Sequence, residues 1–463
     1  MNVMNNEEIF SLEMDGIKKL IEANEISVCV IGIGRIGLPT ALSFAKSGFR
    51  TVGVDVNEEL IEKIKNKNFP LTDEPGYQEI FNQVIDDQKF TATTKIEEVV
   101  PNSQIILLSL PTPMDQNNVP DYTALRTVGK QLKNLVTSGS IIIVESTIEP
   151  GFIENELIDL IESKERGIKA GVNIGIGVCP ETANPGEIMK DFEKLPRLVG
   201  ATDEKTSEII TEIYKHVFPV EMITMPDCKT ANAVKLTTNI FRDVNIAFVN
   251  ELALLFEKLG IDINTVLKAA DRKYNFQIHY PGAGVGGPCL PVNSYQMLNS
   301  AKEINDNLLK MVKVSREINE QMPYHVIELL KDGLNEGKIQ LESSEILILG
   351  ISYKPNVKDI QLSPAEVIIS ELQKLGARIR IFDPYFKDSS VYGIETANNL
   401  DEVIAKVDAT IIITAHNEFL DIKPEYFGSK MKSPILIDAR GIINISEAKK
   451  AGLIFRGLGR GTI

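Results

Sequence analysis

The residues best suited to chemistry lie in one short segment, HYPGAGVGGPCLPVN at 279–293. Four glycines precede its cysteine, Cys289: Gly282, Gly284, Gly286 and Gly287. Backbone without side chains lets a ligand approach closely, and a cysteine on an irregular loop is more open to solvent than one inside a strand. A thiolate in such a place attacks carbonyl groups. The segment therefore predicts a nucleophile at Cys289, with a buried structural cysteine as the alternative.

A second segment, SVCVIGIGRIG, follows the GxGxxG pattern directly after an apolar strand, with Arg35 and Ile36 between its last two glycines. Gly32 permits a tight turn, Gly34 lets the backbone approach a pyrophosphate, and Gly37 allows close packing of helix on strand. The N–H groups of that helix would hold the phosphates.

Asp55 ends the next strand, 18 residues beyond Gly37. There it can accept hydrogen bonds from a ribose diol and repel the 2′-phosphate of NADP. The two features together predict NAD as the cofactor. A glycine turn in a flavodoxin-like sheet is the alternative.

Strands and helices alternate in two blocks, which predicts parallel sheets covered on both faces. The strands of the first block are SVCVIG, TVGVDV, IILLSLP and SIIIVEST; those of the second, within 345–463, are EILILG, RIRIFDP, ATIIITAH and PILIDARG. The blocks echo each other. The first strand ends at Gly32 or Gly350, the second at Asp55 or Asp383, and the fourth at Glu145 or Asp438.

Residues 226–260 break this alternation, because they contain no proline after Pro226 and no glycine before Gly260. They predict a helix of roughly 45 Å, with Asp227 capping its start and Gly260 its end. Its apolar residues lie on more than one side. This indicates a dimer interface, and a helix buried within one subunit is the alternative.

The predicted fold is thus α/β, with two Rossmann-like doubly wound domains joined by a central helical domain that contains the long helix. The boundaries are 1–225, 226–330 and 331–463, in line with roughly 150 residues per domain for a chain of 463.

Composition narrows the possible partners and compartments. The net charge is −15, from 49 basic and 64 acidic residues, which argues against an unaided nucleic-acid binder. The four cysteines form no CxxC pair, so no metal site or disulfide framework is predicted. The acidic N-terminus does not resemble a signal peptide, and no apolar run could span a membrane. A cytoplasmic protein is expected.

The motifs, taken together, resemble the UDP-glucose/GDP-mannose dehydrogenase family over nearly the whole chain, from Cys29 to the final GLGRG. They occur in the family order: GxGxxG at 32–37, LPTP at 110–113, ESTIEPG at 145–151, CPE at 179–181, AxxxKLxxNxFRDxNIAFxNE at 231–251, GxGVGGxCxP at 282–291, YKPNVKD at 353–359, SPA at 363–365 and FDP at 382–384. The resemblance implies an enzyme that uses NAD for a four-electron oxidation of a nucleotide sugar at C6, with 1–225 binding NAD, 226–330 forming a dimer and 331–463 binding the UDP-sugar.

The same resemblance assigns catalytic roles. Cys289 would form a thiohemiacetal and then a thioester, Lys235 and Asn239 would stabilise the oxyanion from one helix face, Thr147 would orient water or alcohol, and Glu181 would be the general base of hydrolysis. The family often has an aspartate where this chain has Asn293. An asparagine is not a base, although it can still orient water.

The resemblance also implies binding residues. Thr112 and Thr147 join Gly32, Gly34, Arg35, Ile36, Gly37 and Asp55 as cofactor-binding residues. The substrate-binding residues would be Glu181, Lys235, Asn239, Arg242, His279, Gly282, Tyr353, Lys354 and Arg440. From its position just after a strand, Lys354 suits a diphosphate or an acidic sugar, with a solvated surface lysine as the alternative.

Two departures from the glucose-type pattern point to the substrate. PETANPG at 180–186 has Pro185 where a second glutamate stands in that type, and Val292 replaces a lysine. Both resemble the branch that acts on 2-acetamido sugars, which implies UDP-N-acetyl-D-mannosamine, with UDP-N-acetylglucosamine and UDP-glucose as alternatives. A two-electron alcohol dehydrogenase and a non-catalytic nucleotide-sugar-binding protein are the competing functions.

Overall fold

The structure, a computed structural model, describes residues 9–10, 12–71, 74–184, 186–302, 304–305 and 307–460. The predicted lead-in at 1–8, Pro185 and the end of the GLGRG segment lie outside these ranges. The described residues form two compact units. The first unit is drawn from Met1–Thr238 and Tyr295–Ile304, and the second from Asn239–Ser294 and Asn305–Ile463.

The first unit contains eight strands and nine helices among its described residues. Its strands are β1 Ser27–Ile31, β2 Arg50–Val54, β3 Phe90–Thr93, β4 Ile105–Leu108, β5 Ile141–Val144, β6 Gly175–Val178, β7 Arg197–Ala201 and β8 Met222–Thr224. Its helices are α1 Met14–Glu22, α2 Gly37–Lys46, α3 Glu58–Lys65, α4 Tyr77–Asp86, α5 Ile96–Val99, α6 Thr123–Leu135, α7 Ile158–Ile161, α8 Ile188–Phe192 and α9 Glu204–Val217.

The eight strands form one sheet in the order β3-β2-β1-β4-β5-β6-β7-β8. The first six follow the strand order of dinucleotide-binding folds, in which a ligand crevice opens where the order reverses, between β1 and β4. Alternate residues of each strand face opposite sides. Val28 and Val30 of β1 enter one apolar core, while Cys29 and Ile31 enter the other. The predicted covering of both faces is confirmed.

One pair of strands departs from the predicted parallel arrangement. β7 runs antiparallel to β6, with Val178 opposite Gly200. A parallel neighbour needs a crossover that returns the chain to the other end of the sheet, usually a long helix. The connection from 179 to 196 holds only the five-residue helix α8, and β7 follows it in the opposite direction.

The second unit contains a five-stranded parallel sheet in the order β10-β9-β13-β14-β15 and a separate hairpin. The strands are β9 Glu345–Leu349, β10 Arg378–Phe382, β11 Ser390–Val391, β12 Ile394–Glu395, β13 Ala409–Ile412, β14 Ile435–Asp438 and β15 Ile454–Gly457. Helices of this unit are α11 Ile263–Ala270, α13 Lys310–Glu336, α14 Pro364–Lys374, α15 Leu400–Ile404, α16 Asn417–Leu420, α17 Pro424–Lys430 and α18 Ile445–Lys450. Here the strand order reverses between β9 and β13.

Two further helices have residues in both units, α10 Cys228–Leu259 and α12 Leu290–Lys302. α10 is the predicted long helix, and its 32 residues extend over roughly 48 Å. The Asp227 carboxylate accepts from Thr230 N–H at its start (2.7 Å). Gly260 follows its end at φ +68°, a left-handed conformation that glycine adopts without strain. Both predicted ends are confirmed.

In the part of the chain that the structure describes, none of the helices has an apolar stretch long enough to cross a lipid bilayer.

Candidate active site

The GxGxxG segment forms a tight turn between β1 and α2. Gly32 has φ +87°, and a Cβ added to it would lie 2.4 Å from the carbonyl oxygen of Ser109. A Cβ on Gly37 would lie 1.8 Å from the carbonyl oxygen of Gly32, so neither position accepts a side chain without movement. A Cβ on Gly34 would meet no atom within 4 Å. That open space lies where the motif brings backbone to a pyrophosphate.

Helix α2 begins directly after this turn, and no side chain caps its N-terminus. Its first N–H groups therefore remain available to an anion. The open space at Gly34 and these N–H groups suit the diphosphate of NAD. Ile36, at the N-cap position, is half-buried and packs against the apolar core of the first unit.

Asp55 follows β2 and supports the glycine turn. Its Oδ2 accepts from Ile33 N–H (3.0 Å) and its Oδ1 from Asn57 N–H (2.9 Å). The carboxylate is only partly buried, so it keeps room for further hydrogen bonds, including those of a ribose diol. Arg35 lies elsewhere than predicted for a phosphate ligand, because its guanidinium is 3.3 Å from the buried carboxylate of Glu74.

Thr112 and Thr147 meet at the carboxyl ends of β4 and β5. The Thr112 hydroxyl donates to the carbonyl oxygen of Thr147 (2.8 Å), which also accepts from Gln296 Nε2 (3.0 Å). The Thr147 hydroxyl is not used in these bonds. It stays a candidate for orienting a water or an alcohol.

Glu181 lies in a buried ion pair. One carboxylate oxygen accepts from Thr182 and Ala183 N–H (2.6 and 2.7 Å), and the other accepts from the Arg197 guanidinium (2.9 Å). Arg197 is 2% exposed and stacks on the Phe218 ring, 3.7 Å from its centroid. Three donors hold this carboxylate, which leaves about one lone-pair site for a water.

Glu145, at the end of β5, is a second buried carboxylate in the same region. One oxygen accepts from the Tyr214 hydroxyl (2.7 Å), and the other has no hydrogen-bond partner. Burial raises the pKa of Glu145 to about 7, although the charge of Arg197 opposes this shift. Glu145 can therefore exchange a proton near neutral pH.

Lys235 and Asn239 are one helical turn apart on α10, as predicted. Lys235 is buried. The Asn239 Nδ2 donates to Asn293 Oδ1 (2.5 Å), and Asn293 is 2% exposed. Asn293 therefore orients the Asn239 amide, a role that an uncharged side chain performs.

Cys289 directly precedes helix α12, and its carbonyl oxygen accepts the first helical hydrogen bond, from Asn293 N–H (2.8 Å). The N–H groups of a helix N-terminus stabilise negative charge on a side chain placed there. The side chain is partly exposed, whereas Cys29, Cys179 and Cys228 are buried. Burial raises the pKa of all three buried thiols, that of Cys179 to about 12.

A buried polar network holds the glycines before Cys289. Gly282 N–H donates to Asn250 Oδ1 (3.0 Å), and Asn250 Nδ2 donates to Asn319 Oδ1 (2.9 Å). Asn319 donates to Asp243 Oδ1 (2.8 Å), which also accepts from the Arg316 guanidinium (2.9 Å). The network joins α10 and α13 to the cysteine segment.

Asp243 extends this network to the other side of Cys289, because its second oxygen accepts from the Ser294 hydroxyl (2.7 Å). Both ends of the segment 282–294 are therefore anchored to one buried carboxylate.

Arg440 lies against Gly282, where an added Cβ would be 2.3 Å from a guanidinium nitrogen. Its Nε is buried without a hydrogen-bond partner, and no ion pair links it to a carboxylate of the described residues. Burial lowers the pKa of this guanidinium, with Asp438 opposing the shift. A buried cation without a bound counter-ion is expensive, so this position suits an anionic ligand.

Tyr353 and Lys354 lie on a loop, 351–359, that follows β9. The Tyr353 ring covers Gly287, where an added Cβ would be 2.6 Å from Tyr353 Cε2. Lys354 is half-buried and forms no ion pair with a described carboxylate. The structure therefore brings Tyr353, Gly282 and Arg440 to the cysteine segment.

His279 and Arg242 are placed differently. The His279 ring packs edge-on against Phe241 (centroids 6.1 Å apart), and its Nδ1 lies 3.0 Å from the carbonyl oxygen of Gln277. Arg242 is exposed on α10. Neither has a described contact with the cysteine segment, and their substrate roles stay predictions.

Several residues of the site were missed from the sequence. They are Glu145, Arg197, Asp243, Asn250, Ser294, Arg316, Asn319, Asp383 and His416. A signal existed for some of them: Asp243 and Asn250 are seven residues apart in an otherwise apolar run, and Arg197 opens an apolar strand. Among the described residues, no three His, Cys, Asp or Glu side chains are grouped to hold a metal ion.

The chain matches one protein family in three successive segments. Residues 26–218 match the NAD binding domain of the UDP-glucose/GDP-mannose dehydrogenase family, 229–321 its central domain and 347–445 its UDP binding domain. The NAD binding domain contains the glycine turn and Asp55, which confirms the predicted cofactor.

Individual relatives extend this match to nearly the full length. UDP-N-acetyl-D-mannosamine dehydrogenase of Pyrococcus horikoshii is 34% identical over 94% of this chain and 100% of its own. A solved structure of UDP-D-ManNAc dehydrogenase from that organism has a TM-score of 0.88 at 32% identity, covering 95% of this chain and 100% of its own.

A solved NDP-N-acetyl-D-galactosaminuronic acid dehydrogenase from Methanosarcina mazei Go1 has a TM-score of 0.82 at 27% identity, over 96% of this chain and 98% of its own. The predicted fold class is confirmed. This chain belongs to the UDP-glucose/GDP-mannose dehydrogenase family and is an NAD-dependent oxidoreductase.

Proposed function

We propose that the protein oxidises C6 of a UDP-2-acetamido sugar to a carboxylate, with UDP-N-acetyl-D-mannosamine as substrate. One observation carries the proposal: a partly exposed cysteine at a helix N-terminus ends a glycine segment against which a buried, unpaired guanidinium, Arg440, packs. A nucleophile and an anion-binding group thus share one segment. The name of the Pyrococcus horikoshii relative supports the choice of sugar.

Bound NAD would accept one hydride from the C6 alcohol and a second NAD one from the thiohemiacetal, so two are reduced per sugar. Between the two transfers, the Cys289 sulfur bonds to C6 of the aldehyde and the carbonyl oxygen takes a proton. Loss of that proton and of the second hydride leaves a thioester. Water then adds to the thioester carbon, the C–S bond breaks, and the thiol and the carboxylate are released.

The remaining residues have supporting roles in this proposal. Lys235 and the Asn239 amide, oriented by Asn293, stabilise the oxyanion, while Thr147 orients the alcohol or the hydrolytic water. Glu181 uses its remaining lone-pair site to accept a hydrogen bond and then a proton from that water. Arg440, Gly282, Tyr353 and Lys354 bind the UDP moiety. Arg242 and His279 stay substrate-binding candidates, and Arg35 and Ile36 cofactor-binding ones.

The decisive test combines a substrate panel with a cysteine variant. Wild type should give two NADH per sugar with UDP-N-acetyl-D-mannosamine and less turnover with UDP-N-acetylglucosamine or UDP-glucose. Cys289→Ser should stay folded and bind NAD and UDP, but turn over at least about a thousandfold more slowly, because an oxygen ester is a poorer route to hydrolysis.

Cys228→Ala, at a buried cysteine, is the control and should keep wild-type stoichiometry. One NADH per sugar with released aldehyde would instead identify a two-electron alcohol dehydrogenase. Binding of UDP-sugar without any NADH would identify a non-catalytic binding protein.

We also propose a homodimer formed through α10. Phe241, Phe248 and Leu255 are spaced seven residues apart on one helix face and remain about half exposed, at 48%, 49% and 51%. A two-fold axis would place this stripe against its own copy. Sedimentation analysis tests this: wild type should be dimeric, Phe248→Glu should weaken the dimer, and a monomeric wild type would contradict it.

The domain boundaries 1–225, 226–330 and 331–463 and a cytoplasmic location complete the proposal. The three family matches support the former, with ends near these positions. The four unpaired cysteines support a reducing compartment.

A further inference from the structure

We propose that His416 is a positioning residue for substrate binding. It holds the loop 351–359 in the conformation that presents Tyr353 and Lys354 to the substrate and packs Tyr353 against the segment of Cys289. The proposal rests on the proposed function, in which this loop binds the UDP moiety. It does not require His416 itself to touch the substrate.

The two ring nitrogens of His416 have different partners. The backbone N–H of Asn356 donates to Nδ1 (3.0 Å). Since a backbone N–H is always the donor, Nδ1 carries no proton, and Nε2 carries it and donates to Asp383 Oδ2 (3.0 Å). His416 and Asp383 are both 0% exposed, so water cannot replace either bond.

Other bonds close the same loop around His416. Asn356 has φ +62°, and its side-chain oxygen accepts from Asn417 N–H, next to His416 (2.9 Å). The Ser352 hydroxyl donates to the carbonyl oxygen of Val357 (2.7 Å), and the Thr414 hydroxyl to that of Ser352 (2.5 Å). The bond to Nδ1 therefore sets the position of the loop apex, one residue after Pro355.

Asp383 fixes the other end of the loop. Its Oδ2 accepts from Ile351 N–H (2.8 Å) as well as from His416, and its Oδ1 accepts from Tyr385 N–H (2.9 Å). The ring of His416 also packs against Tyr385 and Phe419, with centroids 5.0 and 5.5 Å away. The imidazole thus links the start of the loop to its apex.

The loop in turn contacts the segment of Cys289. Tyr353 covers Gly287, and Gly287 N–H donates to the carbonyl oxygen of Gln361, just beyond the loop (2.9 Å). A Cβ on Gly286 would lie 2.4 Å from the carbonyl oxygen of Leu362. A displaced loop apex would therefore move Tyr353 away from the backbone two residues before the nucleophile.

Two substitutions separate the bonds of His416. His416→Asn places an amide oxygen near the position of Nδ1 and keeps an acceptor for Asn356 N–H. His416→Gln places an amide nitrogen near Nε2 and keeps the donor to Asp383. Each variant loses one buried hydrogen bond, so a merely structural role would affect both equally. His325→Gln removes a different hydrogen-bonded histidine of the same unit, whose partner is Glu257, and is the control.

Two measurements are made on each full-length variant. Hydrogen exchange of the peptide covering 351–359 reports the loop without any ligand. Calorimetric titration with UDP, together with KM and kcat for the UDP-sugar and for NAD, reports binding. We expect faster exchange and a UDP Kd raised about tenfold or more for His416→Gln, under about threefold for His416→Asn, and no change for His325→Gln. The effect should appear in KM for the sugar and not in that for NAD.

Equal exchange in the two His416 variants, or faster exchange with His416→Asn than with His416→Gln, would overturn the proposal. Failure of wild type to bind UDP would overturn the proposed function instead, and the exchange measurement would still decide whether His416 positions the loop. Faster loop exchange without loss of UDP affinity would show that the loop is held but does not serve binding, which also overturns the inference.

Discussion

The two sheets end their first strands in the same turn, yet the two turns have different neighbours. Gly32 and Gly350 both have positive φ, +87° and +80°. In each case the next residue donates its N–H to the aspartate that follows the second strand: Ile33 to Asp55 at 3.0 Å, and Ile351 to Asp383 at 2.8 Å. The second oxygen of each aspartate accepts the N–H two residues further on.

The difference begins immediately after the turn. In the first unit, helix α2 starts at Gly37, five residues after Gly32, so its N–H groups lie at the turn. In the second unit, α14 starts at Pro364, and the loop 351–363 separates it from Gly350. Asp55 is partly open to solvent, whereas Asp383 is covered by His416.

The comparison shows that one backbone turn supports two kinds of binding. Where the helix follows directly, the turn itself receives a dinucleotide and its aspartate is left for the ligand. Where a loop intervenes, the aspartate is used inside the protein to anchor that loop, whose side chains then face the ligand. Four predictions test this difference.

The largest effect is expected from the aspartates themselves. Asp383→Asn replaces a buried acceptor of several N–H groups with an amide that can donate, so at least one buried donor loses its partner. We expect a loss of about 3 kcal/mol in the free energy of unfolding. Asp55→Asn, at a partly exposed site, should lose under about 1 kcal/mol, because water can replace the lost acceptor. Urea unfolding measures both, and equal losses would remove the distinction between the two turns.

The acids that end the fourth strands extend the comparison. Asp438 accepts three backbone N–H groups, from Arg440, Gly441 and Ile443 (2.8 to 2.9 Å). Glu145 has one oxygen without a partner, and its pKa is raised from 4.5 to about 7. The folded state thus holds this proton more tightly than the unfolded chain. The resulting stabilisation is complete below pH 4.5 and is lost as the pH rises to about 7.

Glu145→Gln has no group to titrate, so the stability of wild type relative to this variant should fall by up to about 3 kcal/mol between pH 4.5 and 7.5. Urea unfolding at a series of pH values measures it. The exposed Glu208→Gln should show no such pH dependence. A constant difference for Glu145→Gln would contradict the raised pKa.

A smaller effect is expected on cofactor choice. Asp55→Asn keeps an acceptor for Ile33 N–H but removes the charge that would repel a 2′-phosphate. The preference for NAD over NADP, measured as the ratio of kcat/KM, should fall about 5- to 30-fold, as for loss of a repulsion of 1–2 kcal/mol near a protein surface. Asp383→Asn should leave this ratio unchanged. An unaltered ratio in Asp55→Asn would exclude this carboxylate from cofactor selection.

The smallest effect concerns the open middle of the first turn. Gly34→Ala adds a methyl group where no protein atom lies within 4 Å, so stability should change by less than about 0.5 kcal/mol. The Kd for NAD should rise about tenfold, because the methyl occupies the space of the pyrophosphate. Gly37→Ala, whose Cβ would lie 1.8 Å from Gly32 O, should instead lower stability. Unchanged NAD affinity in Gly34→Ala would mean that the cofactor does not approach this backbone.

Much of the fold followed from local patterns. Apolar runs such as Ile105–Leu108 and Ile141–Val144 became fully buried strands, and the absence of glycine and proline predicted α10 to within two residues. Strands without such runs were missed. Phe90–Thr93 is too polar, and Arg197–Ala201 opens with a charge whose burial depends on Glu181 and aromatic rings distant in sequence.

The site was predictable where chemistry depends on spacing within one segment. The glycines 32, 34 and 37 and the pair Lys235 and Asn239 are of this kind. His416 read only as the polar end of a strand, because its partners Asp383 and Asn356 are 33 and 60 residues away. Asn250 and Asn319, 69 residues apart, were missed for the same reason. Such pairs depend on tertiary packing, which no local pattern records.

The unequal burial of the four cysteines has a practical consequence. Cys29, Cys179 and Cys228 are shielded from reagents and have raised thiol pKa values, while Cys289 is reachable. A mild alkylating agent should therefore add a single label per native chain, and intact-mass measurement would count it. The labelled fraction then titrates competent molecules in a preparation, and a fluorophore attached there would report substrate arrival.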